Sequence, residues 1–288
     1  MTPNRRMTGP LVLGEKVLHF DRGPRIMGVL NVTPDSFSDG GLYMEPRAAI
    51  EHGLRLAADG ADIIDVGGES TRPGSEPVTA TEQMRRVVPV IEGLRAAGLR
   101  VPISIDARLA EVAAAALEAG ADAINDVAAL RGDPALVGVA REYRAGLVLM
   151  HMRGTPATMQ DEPEYEDVVG EVAAFLHERV KFALEAGIER ECIVVDPGIG
   201  FGKTTQHNLL LLRNLDRVAE LGCPVLLGVS RKRFLGELLG EDRPERRDFG
   251  TAAAVAWGIL AGVHIFRVHD VKPIAQVLTV CRAIAEAQ

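Results

Sequence analysis

Short apolar runs rich in β-branched residues alternate with longer, alanine-rich amphipathic segments from near residue 25 to the end of the chain. Runs of this kind are typical of strands that are buried on both faces, and such strands form parallel sheets connected by helices. The alternation therefore predicts an α/β fold. The strand candidates are residues 26–30, 62–66, 102–105, 123–125, 147–150, 193–195, 225–229 and 265–268.

Each strand candidate is followed by a segment with helical periodicity, and a weak internal repeat marks the junctions. The Gly-Ala-Asp triplets at 60–62 and 120–122 precede two strands, and Gly187 and Gly262 occupy the same place before two others. A glycine there ends a helix in the left-handed conformation and turns the chain into the next strand. The helix candidates are residues 46–58, 81–97, 108–119, 134–143, 166–186, 207–221, 231–239 with 248–261, and 273–285.

Eight strand–helix units favour a closed (β/α)8 TIM barrel over a doubly wound open sheet. Barrels of this type commonly use about 250 residues as one domain, and no linker or low-complexity segment divides this chain. We therefore expect a single barrel domain over residues 1–288. Residues 11–13 and 17–20 predict an N-terminal β-hairpin that caps the bottom of the barrel.

The formal net charge of −8 argues against a general nucleic-acid or anionic-membrane surface, because both need a basic footprint. An anionic ligand must then be held by a local cluster of donors or by a metal ion. Cys192, Cys223 and Cys281 have no metal-ligand spacing and predict reduced thiols in a cytoplasmic protein. The longest apolar stretch, residues 252–263, is too short to span a bilayer and predicts a buried helix.

Nearly every strand candidate ends in a residue that can form hydrogen bonds or carry charge. In a (β/α)8 barrel the active site is built from these carboxyl ends. Any one such Asp, Asn or Ser is equally well explained as a helix cap. Capping of a helix N-terminus needs acceptors, however, and Lys232, Arg267 and His269 are donors, so capping does not explain the whole set. The set is Asn31, Asp65 with Glu69, Asp106, Asn125 with Asp126, His151, Asp196, Ser230 with Lys232, and Arg267 with His269.

Three loops that follow strands are rich in glycine. Residues 31–41 and 67–74 also contain Pro, Ser and Thr, a composition that suits loops closing over a ligand. The third, residues 196–203, is similar to a phosphate-cradling loop but lacks the GxxxxGK[ST] spacing, which argues against a nucleotide hydrolase.

Together these segments closely resemble the dihydropteroate synthase family of pterin-binding enzymes. The matching motifs, in order, are NVTPDSFSDGG at 31–41, GGESTRPG at 67–74, DPGIGFGK at 196–203, SRK at 230–232 and RVHD at 267–270. The resemblance implies a (β/α)8 barrel that condenses 6-hydroxymethyl-7,8-dihydropterin diphosphate with p-aminobenzoate and releases pyrophosphate with the help of Mg²⁺. It also implies a homodimer, sulfonamides as competitors, and neither nucleic acid nor membrane as a partner.

The resemblance also implies roles for individual residues. The pterin-binding set is Asp106, Asn125, Asp196 and Lys232, of which Asp106, Asp196 and Lys232 are expected to be catalytic. Thr71, Arg267 and His269 match residues that contact the diphosphate, Asn31 matches the metal ligand, and Phe37 and Pro73 match positions that enclose the aromatic amine. Asp35 could hold either the metal or the loop, and Arg233 could pair with the p-aminobenzoate carboxylate or point into solvent.

The residue types suit this chemistry. Carboxylates and an amide accept hydrogen bonds from the N–H edge of a pterin, and a lysine donates to its carbonyl side. An aromatic amine is neutral at pH 7 and needs no strong base, which fits a chain without a Ser-His-Asp arrangement. We therefore expect a dissociative substitution in which pyrophosphate leaves first.

Two other functions fit these motifs less well, and two further residues are expected to be structural. A corrinoid-dependent methyltransferase acting on methyltetrahydrofolate has no use for Arg267 and His269, and a non-catalytic pterin-binding homologue should have lost Asn31, Phe37 or Thr71. His151 is expected to be a packed, hydrogen-bonded residue rather than a catalyst, and Trp257 to pack within its helix.

Overall fold

The computed structural model describes residues 9–33, 44–69, 78–155, 158–159 and 163–287. The chain begins with an antiparallel hairpin of β1 (Leu11–Leu13) and β2 (Lys16–Leu18), in which Leu11 pairs with Leu18. The hairpin predicted from the sequence is therefore confirmed, with its second strand ending two residues earlier than expected.

Eight parallel strands follow, in the order β8-β7-β6-β5-β4-β3-β10-β9 across the sheet. The two edges meet where Val195 of the first edge bridges Val225 and its N–H donates to the Pro224 carbonyl at 3.0 Å. This junction closes the barrel, as predicted. The strands are β3 (Arg25–Asn31), β4 (Ile63–Gly67), β5 (Ile103–Asp106), β6 (Ala123–Asp126), β7 (Gly146–Met150), β8 (Ile193–Asp196), β9 (Leu226–Leu227) and β10 (Ile265–Val268).

Helices connect the strands on the outside. They are α1 (Met44–Ala58), α2 (Ala80–Ala96), α3 (Ala110–Glu118), α4 (Leu136–Glu142), α5 (Val168–Glu185), α6 (Thr205–Arg213), α7 (Leu215–Ala219), α8 (Arg233–Leu239), α9 (Asp248–Leu260) and α10 (Val271–Glu286), with short 3-10 turns at Arg190–Cys192 and Pro244–Arg246.

Several predicted boundaries differ from the structure. The seventh barrel strand, predicted over 225–229, is continuous only over Leu226–Leu227. Val225 forms an isolated bridge to Val195, and Val229 is buried but lies outside the strand, because apolarity indicates burial and not backbone pairing. The single helix predicted over 207–221 breaks at Asn214, whose side-chain amide donates to the Leu210 carbonyl at 2.8 Å. The helix predicted from residue 231 begins at Arg233.

The apolar side chains form two main layers. Outward-facing strand residues such as Ile64, Ile105 and Val195 pack against the helices. Inward-facing residues at the amino-terminal end of the barrel pack against Leu11 and Leu13 of the hairpin, which therefore caps the bottom of the barrel as predicted. These inward residues are Met27, Ile63, Ala123, Val148, Val194, Leu226 and Ile265.

The prediction of a fully buried helix over 252–263 was wrong for one face of α9. Thr251, Val255 and Gly258 are buried, but Trp257 is 53% exposed and its indole N–H donates to the Leu212 carbonyl at 2.8 Å. Continuous apolarity does not distinguish a buried helix from one that carries an apolar outer face. Within the described ranges, no helix combines the length and apolarity that a membrane crossing needs.

Candidate active site

The barrel interior changes from apolar to polar along the strands. Side chains two residues apart on a strand point to the same face. The inward positions therefore continue from Ile63 to Asp65, from Val194 to Asp196, and from Ile265 to Arg267. The polar set predicted from the strand ends consequently faces the inside of the carboxyl-terminal mouth.

Arg267 connects three strands across this mouth. Its Nε donates to Asp65 Oδ2 at 2.6 Å, and a terminal nitrogen donates to Asp106 Oδ2 at 2.9 Å. Asn125 Nδ2 donates to the same Asp65 oxygen at 3.1 Å. Arg267 and Asp65, which are 202 positions apart in the sequence, are thus joined in one network.

Burial dominates the electrostatics of this network. Desolvation raises the pKa of Asp106 to about 7, even though the Arg267 guanidinium acts in the opposite direction. Burial alone disfavours the charge of Arg267, but the Asp65 and Asp106 carboxylates outweigh it and raise its pKa. Asp65 Oδ1 and Ser104 Oγ are buried polar atoms that have no hydrogen-bond partner among the described residues, and the two residues are register neighbours on β4 and β5.

Asp196 and Lys232 form the other side of the mouth. Asp196 Oδ1 accepts a hydrogen bond from the Gly198 N–H at 2.7 Å, and burial raises the pKa of this carboxyl to about 6. Lys232 Nζ lies 4.0 Å from the centre of the Phe201 ring, a cation–π contact. Burial, together with the charge of Arg267, lowers the pKa of Lys232 to about 8.

A strained turn aims Lys232 at the mouth. Arg231, the preceding residue, has a φ of 58°, in the left-handed region that non-glycine residues avoid. Its N–H donates to Thr251 Oγ1 at 3.0 Å, its carbonyl accepts from Arg247, and its side chain pairs with Asp248 at 2.9 Å. Such a conformation costs on the order of 1–3 kcal/mol and persists only where its surroundings fix it, which occurs most often at functional sites.

The glycine loop at 196–203 is the reverse of a phosphate cradle. Its carbonyls rather than its amides converge, and they converge on Lys203: the ammonium donates to the carbonyls of Gly198 and Phe201, both at 2.9 Å. The amides are used elsewhere, since Gly198 N–H bonds to Asp196 and Gly200 N–H donates to Asn208 Oδ1 at 2.7 Å. The loop therefore surrounds a cation.

His151 has the packed, hydrogen-bonded role predicted for it. Its Nδ1 lies 2.9 Å from Lys203 Nζ, and its ring contacts Phe175 edge-on at 4.9 Å. Desolvation, followed by the charge of Lys203, lowers the pKa of His151 to about 2, so the ring is neutral and accepts at Nδ1. His269 is placed differently, with its Nδ1 3.0 Å from Ser230 Oγ at the mouth.

Asn31 also faces the mouth. A Cβ placed on Gly67 would lie 3.6 Å from both Asn31 Oδ1 and Asp106 Cβ, which locates the Asn31 amide oxygen beside the carboxylate network. Phe37, Thr71, Pro73 and Asp35 lie outside the described residues.

Two other strand-end residues have structural roles. Asp126 accepts hydrogen bonds from the backbone amides of Ala128 and Leu130 in the turn after β6, so it stabilises that turn and does not cap a helix. Glu69 accepts from the Val78 N–H at 2.9 Å and from Arg108, which ties together the two ends of the loop after β4.

The structure favours one of the two alternatives for Arg233. Its guanidinium pairs with Glu237 at 2.8 Å on the same helix and its side chain is 75% exposed, so it points into solvent.

The family resemblance assigns no role to Asp65 or Lys203, although both are central to the geometry. Asp65 was already grouped with the strand-end residues, and strand parity places it on the same face as Ile63 and Gly67. Lys203 carried no such signal, because a lysine after a glycine loop is normally exposed, whereas here only 3% of the residue is exposed.

The fold and the polar barrel mouth match a known class of enzyme. Residues 27–269 match the family described as pterin binding enzyme. Dihydropteroate synthase of Synechocystis sp. is 44% identical to the chain over 275 residues, covering 96% of this chain and 95% of that protein. Dihydropteroate synthase of Streptococcus pyogenes serotype M6 is 50% identical over 248 residues, covering 86% and 90%.

Solved structures agree with these relatives. Dihydropteroate synthase of Xanthomonas albilineans with 4-aminobenzoic acid has a TM-score of 0.91 and 48% identity, covering 98% of this chain and all (100%) of that chain. The same organism's enzyme in complex with 7,8-dihydropteroate has a TM-score of 0.87 and 45% identity, covering 97% and 100%. The Yersinia pestis enzyme with a sulfonamide drug has a TM-score of 0.90 and 38% identity, covering 97% and 100%. Within the pterin-binding enzymes, the chain belongs to the dihydropteroate synthases, which are transferases of folate synthesis.

Proposed function

We propose that the barrel mouth binds 6-hydroxymethyl-7,8-dihydropterin diphosphate and transfers its pterin-methyl group to p-aminobenzoate, with Asp106, Asp196 and Lys232 as the catalytic residues. The observation that carries this assignment is the convergence of two buried carboxylates, the Asn125 amide and the Lys232 ammonium inside one end of the barrel. These groups complement a flat heterocycle that has N–H donors along one edge and a carbonyl beside them.

The carboxylates also suit the step in which charge develops. When the C–O bond to the diphosphate breaks, the electron pair leaves with pyrophosphate and positive charge develops on the pterin-methyl group. Asp106 and Asp196 are held in a desolvated mouth, where fixed charges act most strongly. The neutral amine of p-aminobenzoate then forms the C–N bond, and the acidic anilinium nitrogen passes one proton to the released pyrophosphate or to water. No dedicated strong base is therefore needed.

The leaving group is assigned to Thr71, Arg267 and His269. Arg267 presents a forked guanidinium that suits phosphate oxygens, and Asp65 holds it from below. A pterin that donates to Asp106 competes with Arg267 for that carboxylate. Binding of the pterin would therefore free one edge of the guanidinium for the diphosphate.

The Asn31 amide oxygen is a suitable ligand for a Mg²⁺ ion that arrives bound to the substrate diphosphate. Within the residues that the structure describes, no cluster of three or more His, Cys, Asp or Glu side chains could hold a metal ion by itself. Mg²⁺ commonly binds through one or two protein oxygens together with substrate phosphates and water, and the Asn31 amide oxygen is suitably placed beside the mouth. Bound there, the ion would neutralise charge on the departing pyrophosphate.

The two glycine-rich loops at 31–41 and 67–74 complete the proposal. We assign Phe37 and Pro73 to the enclosure of p-aminobenzoate, which would exclude water while pyrophosphate departs. Sulfonamides would compete for the same place.

An assay of pyrophosphate release, with and without p-aminobenzoate, tests the function, and Asp106→Ala and Lys232→Ala should lose pterin affinity while remaining folded. Calorimetry tests the order of binding. Pterin diphosphate with Mg²⁺ should bind first, and p-aminobenzoate only afterwards. Equal binding of p-aminobenzoate in the absence of pyrophosphate or pterin would contradict the ordered site.

We further propose a homodimer formed through the outer face of the last two helices. Phe249 is 91% exposed, Leu260 62% and Ile284 71%, and apolar side chains of this size in one region of a surface favour association. Light scattering should give twice the monomer mass for the wild-type protein. The Leu260→Asp variant should have the mass of a monomer. The free state of all three cysteines supports a cytoplasmic location, which cell fractionation would test.

A further inference from the structure

The most unusual group outside the assigned residues is the Lys203 ammonium. It is buried, with only 3% of the residue exposed. Its hydrogen-bond partners are the neutral ring and the backbone carbonyl of His151, and the two loop carbonyls of Gly198 and Phe201. A buried lysine usually pairs with a carboxylate that offsets its desolvation. Here burial lowers the pKa of Lys203 to about 7, and among the described residues no carboxylate forms a hydrogen bond with its ammonium. The fold therefore retains a buried lysine whose desolvation is costly.

Lys203 is linked to Asp196 through Gly198. The carbonyl of Gly198 accepts from Lys203 Nζ at 2.9 Å, and the N–H of the same residue donates to Asp196 Oδ1 at 2.7 Å. Gly198 has a φ of 66°, and a Cβ at this position would overlap the His151 carbonyl oxygen. The position of this glycine is therefore fixed between the ammonium and the carboxylate.

Lys203 is linked to Lys232 through Phe201. The Phe201 carbonyl accepts from Lys203 at 2.9 Å, and the Phe201 ring lies over Lys232 Nζ at 4.0 Å. Gly200, between the two bonded carbonyls, lies so close to Lys232 that a Cβ there would be 3.0 Å from Lys232 Cδ. The loop around Lys203 thus forms one wall against the Lys232 side chain.

We propose that Lys203 is a positioning residue of the pterin site: its buried ammonium clamps the loop at 196–203 and thereby sets Asp196 and Lys232 for pterin binding. The inference rests on the proposed function for its catalytic consequence, whereas its structural part concerns the loop alone. A second consequence is electrostatic, because a buried cation beside Asp196 favours the ionised carboxylate that accepts from the pterin.

The charged surroundings of both groups are defined. Asp196 is faced by Lys232 from the turn before α8, by Lys203 from the loop before α6, and by Arg267 from β10. Lys203 is faced by Asp196, Lys232 and Arg153 as well as by neutral His151. Removal of the Lys203 charge therefore leaves two cations near Asp196, and the pKa of Asp196 should rise by on the order of one unit.

The test compares Lys203→Met, which removes the donor and the charge, with Lys203→Gln, which removes the charge and keeps a shorter amide donor. Lys181→Met is the matched control, because that lysine side chain is 69% exposed on α5. The carboxyl titration of Asp196 is followed by ¹³C NMR of aspartate-labelled protein and assigned with Asp196→Asn. The kcat/KM for pterin diphosphate is measured on the same preparations.

Both Lys203 variants should raise the pKa of Asp196 that the titration measures. Lys203→Met should lower kcat/KM by roughly 10- to 100-fold, and the loss in Lys203→Gln should be intermediate. Lys181→Met should change neither. An unchanged pKa of Asp196 in both variants would overturn the inference. If the activity also fell in that case, Lys203 would have a purely structural role. If Lys203→Met does not fold, the titration of Lys203→Gln decides. An inactive wild-type protein with a shifted Asp196 titration would contradict the proposed function instead.

Discussion

At the amino-terminal end of the barrel, inward side chains such as Met27 and Val194 pack against Leu11 and Leu13 of the hairpin. Two residues further along, the same strands place Asp65, Asp196 and Arg267 in the mouth. The apolar end is closed and contributes burial free energy. The polar end holds desolvated charges and the strained Arg231, both of which reduce stability. A barrel strand can thus divide stability and binding between its two ends, because side chains two residues apart share the inward face from the core to the mouth.

The largest effect is expected at the polar end. Lys232→Met removes the donor for the pterin carbonyl and the cation that faces Asp196, so kcat/KM for pterin diphosphate should fall by about 10³-fold or more. The Tm should hardly change, because burial already disfavours the lysine charge. Steady-state kinetics and calorimetric unfolding measure the two. A large loss of Tm would show that the mouth also holds the fold together.

At the apolar end the reverse is expected. Leu11 is fully buried at 0% exposure, and Leu11→Ala should lower the free energy of unfolding by about 2–5 kcal/mol through lost burial and a cavity. The kcat/KM of the folded fraction should remain at the wild-type value, because the substituted side chain lies at the opposite end from the mouth. Urea titration and kinetics at low temperature provide the measurements. The exposed Val17→Ala is a matched control on the same hairpin, at 48% exposure. Impaired catalysis in folded Leu11→Ala would mean that the two ends are coupled.

The pH dependence of kcat/KM should reflect the polar end alone. Burial raises the pKa of Asp196 to about 6 and of Asp106 to about 7, so both lose their capacity as ionised acceptors as the pH falls through these values. Burial lowers the pKa of Lys232 to about 8, so its charge is lost above that pH. The profile should therefore be bell-shaped with a maximum between about 7 and 8, and the groups should titrate as a coupled set. A constant kcat/KM from pH 5 to 9 would contradict these assignments.

The smallest effect is expected just outside the mouth. Arg233 follows Lys232 directly, but its guanidinium pairs with Glu237 and is largely solvated. Arg233→Ala should therefore change the KM for p-aminobenzoate by less than about twofold and the stability by less than about 1 kcal/mol. An increase of tenfold in KM would restore the alternative in which Arg233 binds the p-aminobenzoate carboxylate.

The class of fold and most of the polar mouth can be predicted from the amino-acid sequence. Apolar runs separated by helical segments specify parallel strands, and strand ends in a barrel converge, so Asp106, Asn125, Asp196, Lys232 and Arg267 could be grouped before any distance was known. Short stretches of sequence were enough for this grouping, because the alternation of strands and helices and the position at which each strand ends can be read without knowing any long-range contact.

The pairing of these groups and the role of the glycine loop emerge only when the chain is folded. Arg267 finds Asp65 across the barrel, and the loop at 196–203 turns its carbonyls onto Lys203. Only the three-dimensional structure likewise showed that α9 exposes Trp257. Each of these depends on which distant atoms lie within a few ångströms and on the water that they exclude. Composition and periodicity specify which face a residue occupies, but they carry no information about its partner on the opposite side of the barrel.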